Sequence, residues 1–290
     1  MAHIADVTFN LLFDGLAYGM ILFIISVGLS VTMGLMGFVN LAHGAFAMAG
    51  GFVTVTLVGK LGMPFLPALL LASVVVGAAS VPFERLLYRR LYKAGELDQV
   101  LMSVGLVLIA GAAFTFVYGP APQALKLPAA LDGPVTVFGQ SLSAYRLFMV
   151  AVGFLLIAAL WFAFERTGVG ARVRAAVDNR RMAQSLGIDV DLLFTLTFAL
   201  GSGLAALGGG LAVDITGLTP AFAVQYLVFF LIVVAVGGLG SLKGAFVAAL
   251  LLGIIDNAGK YLYPEGGGYF IYAATMLLLL LRPAGLYGRG

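Results

Sequence analysis

Three groups of polar residues interrupt an otherwise apolar sequence, and any chemistry this chain performs must draw on them. Asn40 and His43 stand in the run Asn40-Leu-Ala-His43-Gly44, between two long apolar stretches. An amide and an imidazole placed there are costly in lipid unless they are hydrogen-bonded. Either the segment breaks a helix and brings Asn40, His43 and Gly44 to a translocation path, or Asn40 caps a helix beginning near Leu41 while His43 lies in the cytoplasmic interface; the two readings are compatible. Asp256 and Asn257 sit together in a later apolar run, where they either line the same path or make a hydrogen-bonded contact between helices. The third group is Glu165 to Asp191, which holds Arg166, Arg172, Arg174, Arg180 and Arg181 among Asp178, Asp189 and Asp191.

Much chemistry is excluded by what these groups lack. The only histidines are His3 and His43 and there is no cysteine, which removes disulfides, thiolate metal sites and paired-imidazole ligand sets. No nucleophile stands near a base at a useful spacing. The reading therefore assigns no catalytic residue, no metal ligand and no cofactor to this chain. A phosphate-cradling Gly-x-x-x-x-Gly-Lys-Ser/Thr is missing as well: Lys60, Lys243 and Lys260 neighbour glycine without the rest of that pattern. Any energy drawn from ATP has to come from another polypeptide.

With 62% hydrophobic and 10% charged residues in 290 and a mean hydropathy of +1.08, the chain departs from soluble domains, in which about 25% of residues are charged. It reads as an all-α polytopic membrane protein, one transmembrane domain over 1–290. Spans of about 20 apolar residues fall at roughly 11–36, 42–59, 64–83, 99–117, 145–164, 192–213, 225–238, 244–262 and 269–281. The seventh is short, so a bundle of eight to ten spans with interrupted helices is compatible with the pattern. The start, Met1 to Asp6, carries no Lys or Arg and does not read as a signal peptide.

Basic residues orient the bundle. With the N-terminus outside, Arg85, Arg89, Arg90, Lys93, the five loop arginines, Lys243, Arg282 and Arg289 fall inside, against Lys60, Lys126, Arg146 and Lys260 outside, twelve to four. The stretch 118–144, with Pro120, Pro122, Pro128 and Pro134, becomes the main external loop, and 165–191 a cytoplasmic one. The net charge of +3 then reflects topology, and nucleic acid is not implied.

Two patterns concern packing. Gly201, Ala205 and Gly209 form a small-residue stripe suited to close helix approach. Gly37 to Phe46 echoes Gly237 to Phe246 at four of ten positions, each joining two closely spaced apolar runs, as repeated transporter halves do. In the arginine loop, Val173, Ala176 or Val177, Met182, Ala183 and Leu186 recur at helical steps and Gly187 is a stop. The expectation is an amphipathic helix that lies at the interface or docks in a groove of a partner protein.

The sequence resembles the LivH-type permeases of branched-chain amino acid ABC importers over nearly its whole length. The resemblance rests on Gly34-Leu-Met-Gly-Phe-Val-Asn-Leu-Ala-His-Gly44, Phe83-Glu-Arg-Leu-Leu-Tyr-Arg-Arg90, Gly168 to Gly187, and Val236-Gly-Gly-Leu-Gly-Ser-Leu-Lys-Gly-Ala245. It implies a bacterial inner-membrane protein working with a second homologous permease, two cytoplasmic ATPase subunits that bind ATP and magnesium, and an external substrate-binding protein. The cargo it implies is a branched-chain or related apolar amino acid, moved by alternating access. Urea, amides and aromatic acids are alternatives, as is an ion-coupled secondary transporter for which Asp256 is the one candidate. ABC permeases touch their ATPases through a loop with Glu-Ala-Ala, three variable residues and Gly. The counterpart here is Arg181-Met182-Ala183-Gln-Ser-Leu-Gly187, with Arg174 and Arg180 alongside. The alanine-to-glycine spacing is kept and the acid is replaced by Arg181. Ala45 also stands where familiar members often carry Glu.

Overall fold

The computed structural model describes residues 2–38, 40–92, 94–137 and 139–288; Lys93 and Arg289, counted above among the inside cations, lie outside them. The chain opens with α1, Ala2–Met36, a helix of 35 residues and therefore about 52 Å long. It stops at Gly37, whose φ of 58° suits a residue without Cβ. After α2, His43–Gly59, comes α3, Phe65–Phe83. Pro82 removes one donor from the helical ladder near the end of α3, and the chain widens at once into a five-residue π-helix, Glu84–Tyr88, before one last turn, α4, Arg89–Leu91.

Next are α5, Glu96–Tyr118, a hairpin of β1, Pro134–Val137, and β2, Gln140–Ser143, and α6, Ala144–Arg166. The strands are antiparallel with Pro134 opposite Ser143, so the proline-rich stretch that excludes a long helix still forms a short ladder. Two short helices, α7, Gly168–Asp178, and α8, Arg180–Ser185, lead to α9, Val190–Thr216. The chain ends with α10, Phe222–Gly237, α11, Leu242–Leu262, and α12, Tyr269–Leu281.

The nine apolar runs of the sequence each become a helix. Among the described residues six helices are long and apolar enough to cross a membrane, while α2, α10 and α12 are apolar but shorter. At 16 residues, α10 spans about 24 Å, less than the roughly 30 Å hydrocarbon core. That matches the short seventh span of the sequence.

The fold is built around α9, whose residues 201–213 are all buried. Small residues make this possible, because in lipid close backbone approach replaces the hydrophobic effect as the source of helix association. Gly201 lies against Gly28 of α1, Gly209 against the Ala47 backbone of α2, and Gly77 of α3 against Ala199. Ser73 donates its hydroxyl to the Gly203 carbonyl at 2.7 Å. The predicted stripe is thus a packing seam. The end of α1 meets the second echoing segment: Gly34, three residues before Gly37, packs directly on Gly240, and Gly238 and Gly240 both have positive φ.

Candidate functional site

The polar groups sort into two clusters at opposite ends of α9 and a buried network reaching inward from one of them. At the start of α9, Asp191 pairs with Arg89 and, at 2.8 Å, with Arg180. The Arg180 guanidinium also lies 5.1 Å from the Phe194 ring centre, within cation–π range. Arg85, Arg89, Asp189, Asp191, Leu192 and Thr195 line a cavity of about 350 Å³ here.

From this cluster the network goes into the apolar body. Glu84, on the first position of the π-helix, is 1% exposed. Its Oε2 accepts the Thr195 hydroxyl at 2.8 Å and its Oε1 the Tyr92 hydroxyl at 2.6 Å. Burial first, and then the hydrogen bond to Glu84, hold the Tyr92 phenol above its ordinary range, so Tyr92 remains a donor. One turn beyond Glu84, Tyr88 donates its O–H to Asn40 Oδ1 at 2.9 Å.

Asn40 also accepts from the Ala42 N–H at 3.1 Å, while its Nδ2 is buried without a hydrogen-bond partner among the described residues. Helix α2 begins at His43 and not near Leu41, so Asn40 forms a turn ahead of the helix. His43 is 1% exposed and its Nε2 bonds the Ile25 carbonyl at 2.8 Å, which has a second lone pair beside its helical bond. Gly44 packs against the Ala223 backbone at the start of α10.

The arginine loop departs from a single helix. It breaks at Asn179, whose φ of −153° and ψ of 96° are extended and whose Oδ1 caps α8 by accepting the Met182 N–H at 3.0 Å. The exit is a Schellman turn: Gly187 has φ 82°, its N–H meets the Gln184 carbonyl, and the Ile188 N–H meets the Ala183 carbonyl at 3.1 Å. The predicted apolar stripe divides. Ala176 and Ala183 are buried in a small core with Val190 and Phe194, and Val173 is buried too, whereas Val177, Met182 and Leu186 are exposed, Leu186 to 73%. Arg174 donates to the Phe164 carbonyl, and both Arg174 and Arg181 are exposed.

At the other end of α9, by the hairpin, a cavity of about 280 Å³ collects Asp14, Tyr18, Arg146, Thr216, Tyr226, Asp256, Asn257 and Lys260 among its walls. Arg146 pairs with Asp14. Lys260 Nζ reaches Asp256 Oδ2 at 2.5 Å and lies 5.4 Å from the centre of the Tyr18 ring. Asp256 Oδ1 is buried and has no partner among the described residues. Asn257 donates its Nδ2 to the Leu11 carbonyl at 2.8 Å.

The sequence therefore singles out Asp256 and Asn257 as neighbours in one cavity, and Asn40, His43 and Gly44 as neighbours in another place. It misses Asp14, Glu84, Tyr88 and Thr195, and reads Arg146 only as a topology marker. The one signal for Glu84 was a carboxylate at the very end of an apolar run. Among the described residues no three of His, Asp and Glu are grouped as a metal ion requires.

Residues 11–280 match the model of the family described as branched-chain amino acid transport system / permease component. Relatives include the high-affinity branched-chain amino acid transport system permease proteins BraD of Pseudomonas aeruginosa and LivH of Escherichia coli K12. BraD is 28% identical over 294 residues, 96% of this chain and 95% of BraD. LivH is 28% identical over 293 residues, covering 96% and 94%. Among solved structures, PsaBC from Streptococcus pneumoniae in complex with Fab has a chain that overlays with a TM-score of 0.50 at 14% identity, covering 94% of this chain and 89% of that one; at that identity the likeness concerns the fold alone.

Proposed function

The chain belongs to the family of permease components of branched-chain amino acid transport systems, and we propose that it forms the membrane passage for a branched-chain or related apolar amino acid in an ABC importer. The single observation that carries this reading is the family match, which spans residues 11–280 and hence all nine apolar helices in whole or in large part. The partners of the importer are a second permease, two ATPase subunits supplying ATP and magnesium chemistry, and an external binding protein. The membrane is the bacterial inner membrane, with the hairpin end outside and the arginine-loop end facing the cytoplasm, as the distribution of basic residues supports.

In this reading the arginine loop is the ATPase contact. Its support is the division of the loop's apolar stripe: the inner half fixes α7 and α8 to the body, and Val177, Met182 and Leu186 are left for a partner's groove. Closure of the ATPases pushes on α8, and the helices rock so that the path opens to each side in turn. Asn40, His43 and Gly44 lie where the movement reaches the interior, and Asp256 and Asn257 lie toward the external mouth. The whole chain acts as one permease domain.

The test is uptake of L-leucine into vesicles carrying the chain with its permease and ATPase partners and the binding protein. Uptake that requires both ATP and the binding protein is the expected result. Uptake driven by an ion gradient with the ATPases left out would overturn the reading in favour of a secondary transporter, and uptake of urea or amides without leucine would overturn the cargo.

A further inference from the structure

We infer that the cavity at the hairpin end is a binding site for one zwitterionic amino acid with an apolar side chain, in which Asp256 takes the ammonium group and Arg146 the carboxylate. This rests on the transport reading above, which does not say where in the chain cargo is held.

The first observation is Asp256 itself. Its side chain is 2% exposed, one oxygen is engaged by Lys260, and the other is buried with no partner among the described residues, at a cavity wall. A buried acceptor left empty is costly, and more so when it is charged. A ligand N–H⁺ arriving at Oδ1 removes that cost without disturbing Lys260.

The second is the balance of charge. Asp14, Arg146, Asp256 and Lys260 sum to zero and are already paired within the wall. A cation or an anion entering would leave one charge without a counterpart beside Asp256, whose side chain is buried although those of the other three are partly exposed. A zwitterion adds one charge of each sign and no net charge. Arg146 can meet the carboxylate while keeping Asp14, because a guanidinium has five donors and takes carboxylates in a forked geometry.

The third is size and lining. About 280 Å³ lies just below the range of drug-sized small-molecule sites, roughly 300–1,000 Å³, which suits a ligand as small as one amino acid. Between the charged groups the wall is mixed, with Ala17, Tyr18, Ile215 and Tyr226 beside the polar Thr216 and Asn257. A branched aliphatic side chain finds apolar surface there. Asn257 is held by the Leu11 carbonyl and serves to position α11 against α1.

The test is calorimetric binding to the purified full-length chain in lipid nanodiscs. The probes are L-leucine, 3-methylbutylamine, which lacks the carboxylate, and 4-methylpentanoate, which lacks the ammonium. Leucine is expected to bind and each analogue to bind roughly tenfold or more weakly, the usual loss when a charge-assisted hydrogen bond is removed. Asp256→Asn should weaken leucine and leave 4-methylpentanoate unchanged; Arg146→Gln should weaken leucine and leave the amine unchanged. If a variant fails to fold, the comparison of the three probes on the unaltered chain decides alone. Absence of leucine binding, analogues equal to leucine, or competition by acetamide or urea at equal strength would each overturn the site. The same preparation, assembled with its ATPases and binding protein, separates the two readings. ATP-driven leucine uptake without the binding pattern sinks the site and leaves the transporter, while the pattern without uptake keeps the site and sinks the transporter.

Discussion

Tyr88 donates its phenolic proton to Oδ1 of Asn40 at 2.9 Å, across 48 residues of chain. The bond ties the last residue of the π-helix to the turn that leads into α2. Glu84, at the other end of the same π-helix, holds Thr195 near the start of α9, and Asp191 one turn earlier holds Arg180 at the start of α8. Arg180, Asp191, Thr195 and Glu84 are joined in turn, and the backbone of the π-helix connects Glu84 to Tyr88 and so to Asn40. Such π-helical turns are often found at functional sites.

Tyr88→Phe removes the donor and keeps the ring, which packs at 4.8 Å from Phe198. The expected loss of stability is about 0.5–1.5 kcal/mol, that of one hydrogen bond, with a larger fall in ATP-driven uptake than in assembly. Asn40→Ala should add little on top of it. Thermal unfolding and uptake of both single variants and the double variant check this; fully additive effects would show that the two residues act separately.

Glu84→Gln tests the other end of the π-helix. Both carboxylate oxygens accept hydroxyl protons, and an amide offers one acceptor oxygen and turns an NH₂ toward the second donor. The mismatch is buried and should cost about 1–3 kcal/mol, measured as lowered thermal stability in detergent. Glu84→Ala, which leaves both hydroxyls without their acceptor, should cost more.

Gly187 stands at φ 82°, in the left-handed region that costs other residues about 1–2 kcal/mol. Gly187→Leu should loosen the end of α8 and weaken capture of the ATPase subunits, while leucine binding to the isolated chain is unchanged. Gly187→Asn, which tolerates the same backbone, should retain most of the capture. Equal capture by wild type and the Leu variant would remove α8 from the contact.

Arg180 and Arg181 are adjacent in sequence and differ in use. Arg180→Glu sets a like charge against Asp191; the half-exposed pair is worth about 0.2–1 kcal/mol, so the loop should detach slightly from the body and thermal stability fall by a small amount. Arg181 is exposed, and Arg181→Glu should leave stability unchanged and alter ATPase stimulation alone. The same loss of stability in both variants would contradict this division.

The apolar helices were legible because lipid imposes a length and a composition on each run, and polar residues mark the ends; eight lie within three residues of the predicted spans, while α1 begins at Ala2, nine residues before its span. Small residues likewise announced the packing of Gly201 and Gly209. The buried network was not legible. Glu84 and Thr195 are 111 residues apart, and a carboxylate at the end of a span looks the same in sequence whether it meets water or two hydroxyls. The break at Asn179 was hidden for a different reason: the apolar spacing of the arginine loop continues through it, and only the cap that Asn179 gives to Met182 separates the two helices. Periodicity also showed which residues share a stripe without showing that Ala183 faces the body while Met182 faces away.

The orientation of the bundle is open to direct measurement, because the chain contains no cysteine and a single introduced thiol can be labelled without background. Gln184 on α8 and Lys126 between α5 and the hairpin are both exposed, so replacement by cysteine at either should leave the fold intact. The two positions belong to opposite clusters: Ala183, beside Gln184, packs with Phe194 at the start of α9, whereas the Gln123 N–H, close to Lys126, bonds the Leu218 carbonyl just past the end of α9. In intact cells a membrane-impermeant maleimide should label Lys126→Cys at once and Gln184→Cys only after the membrane is opened. The twelve-to-four distribution of basic residues requires that order. The opposite order would place the arginine loop outside, where no ATPase can reach it, and would remove the basis for assigning α8 to the coupling contact.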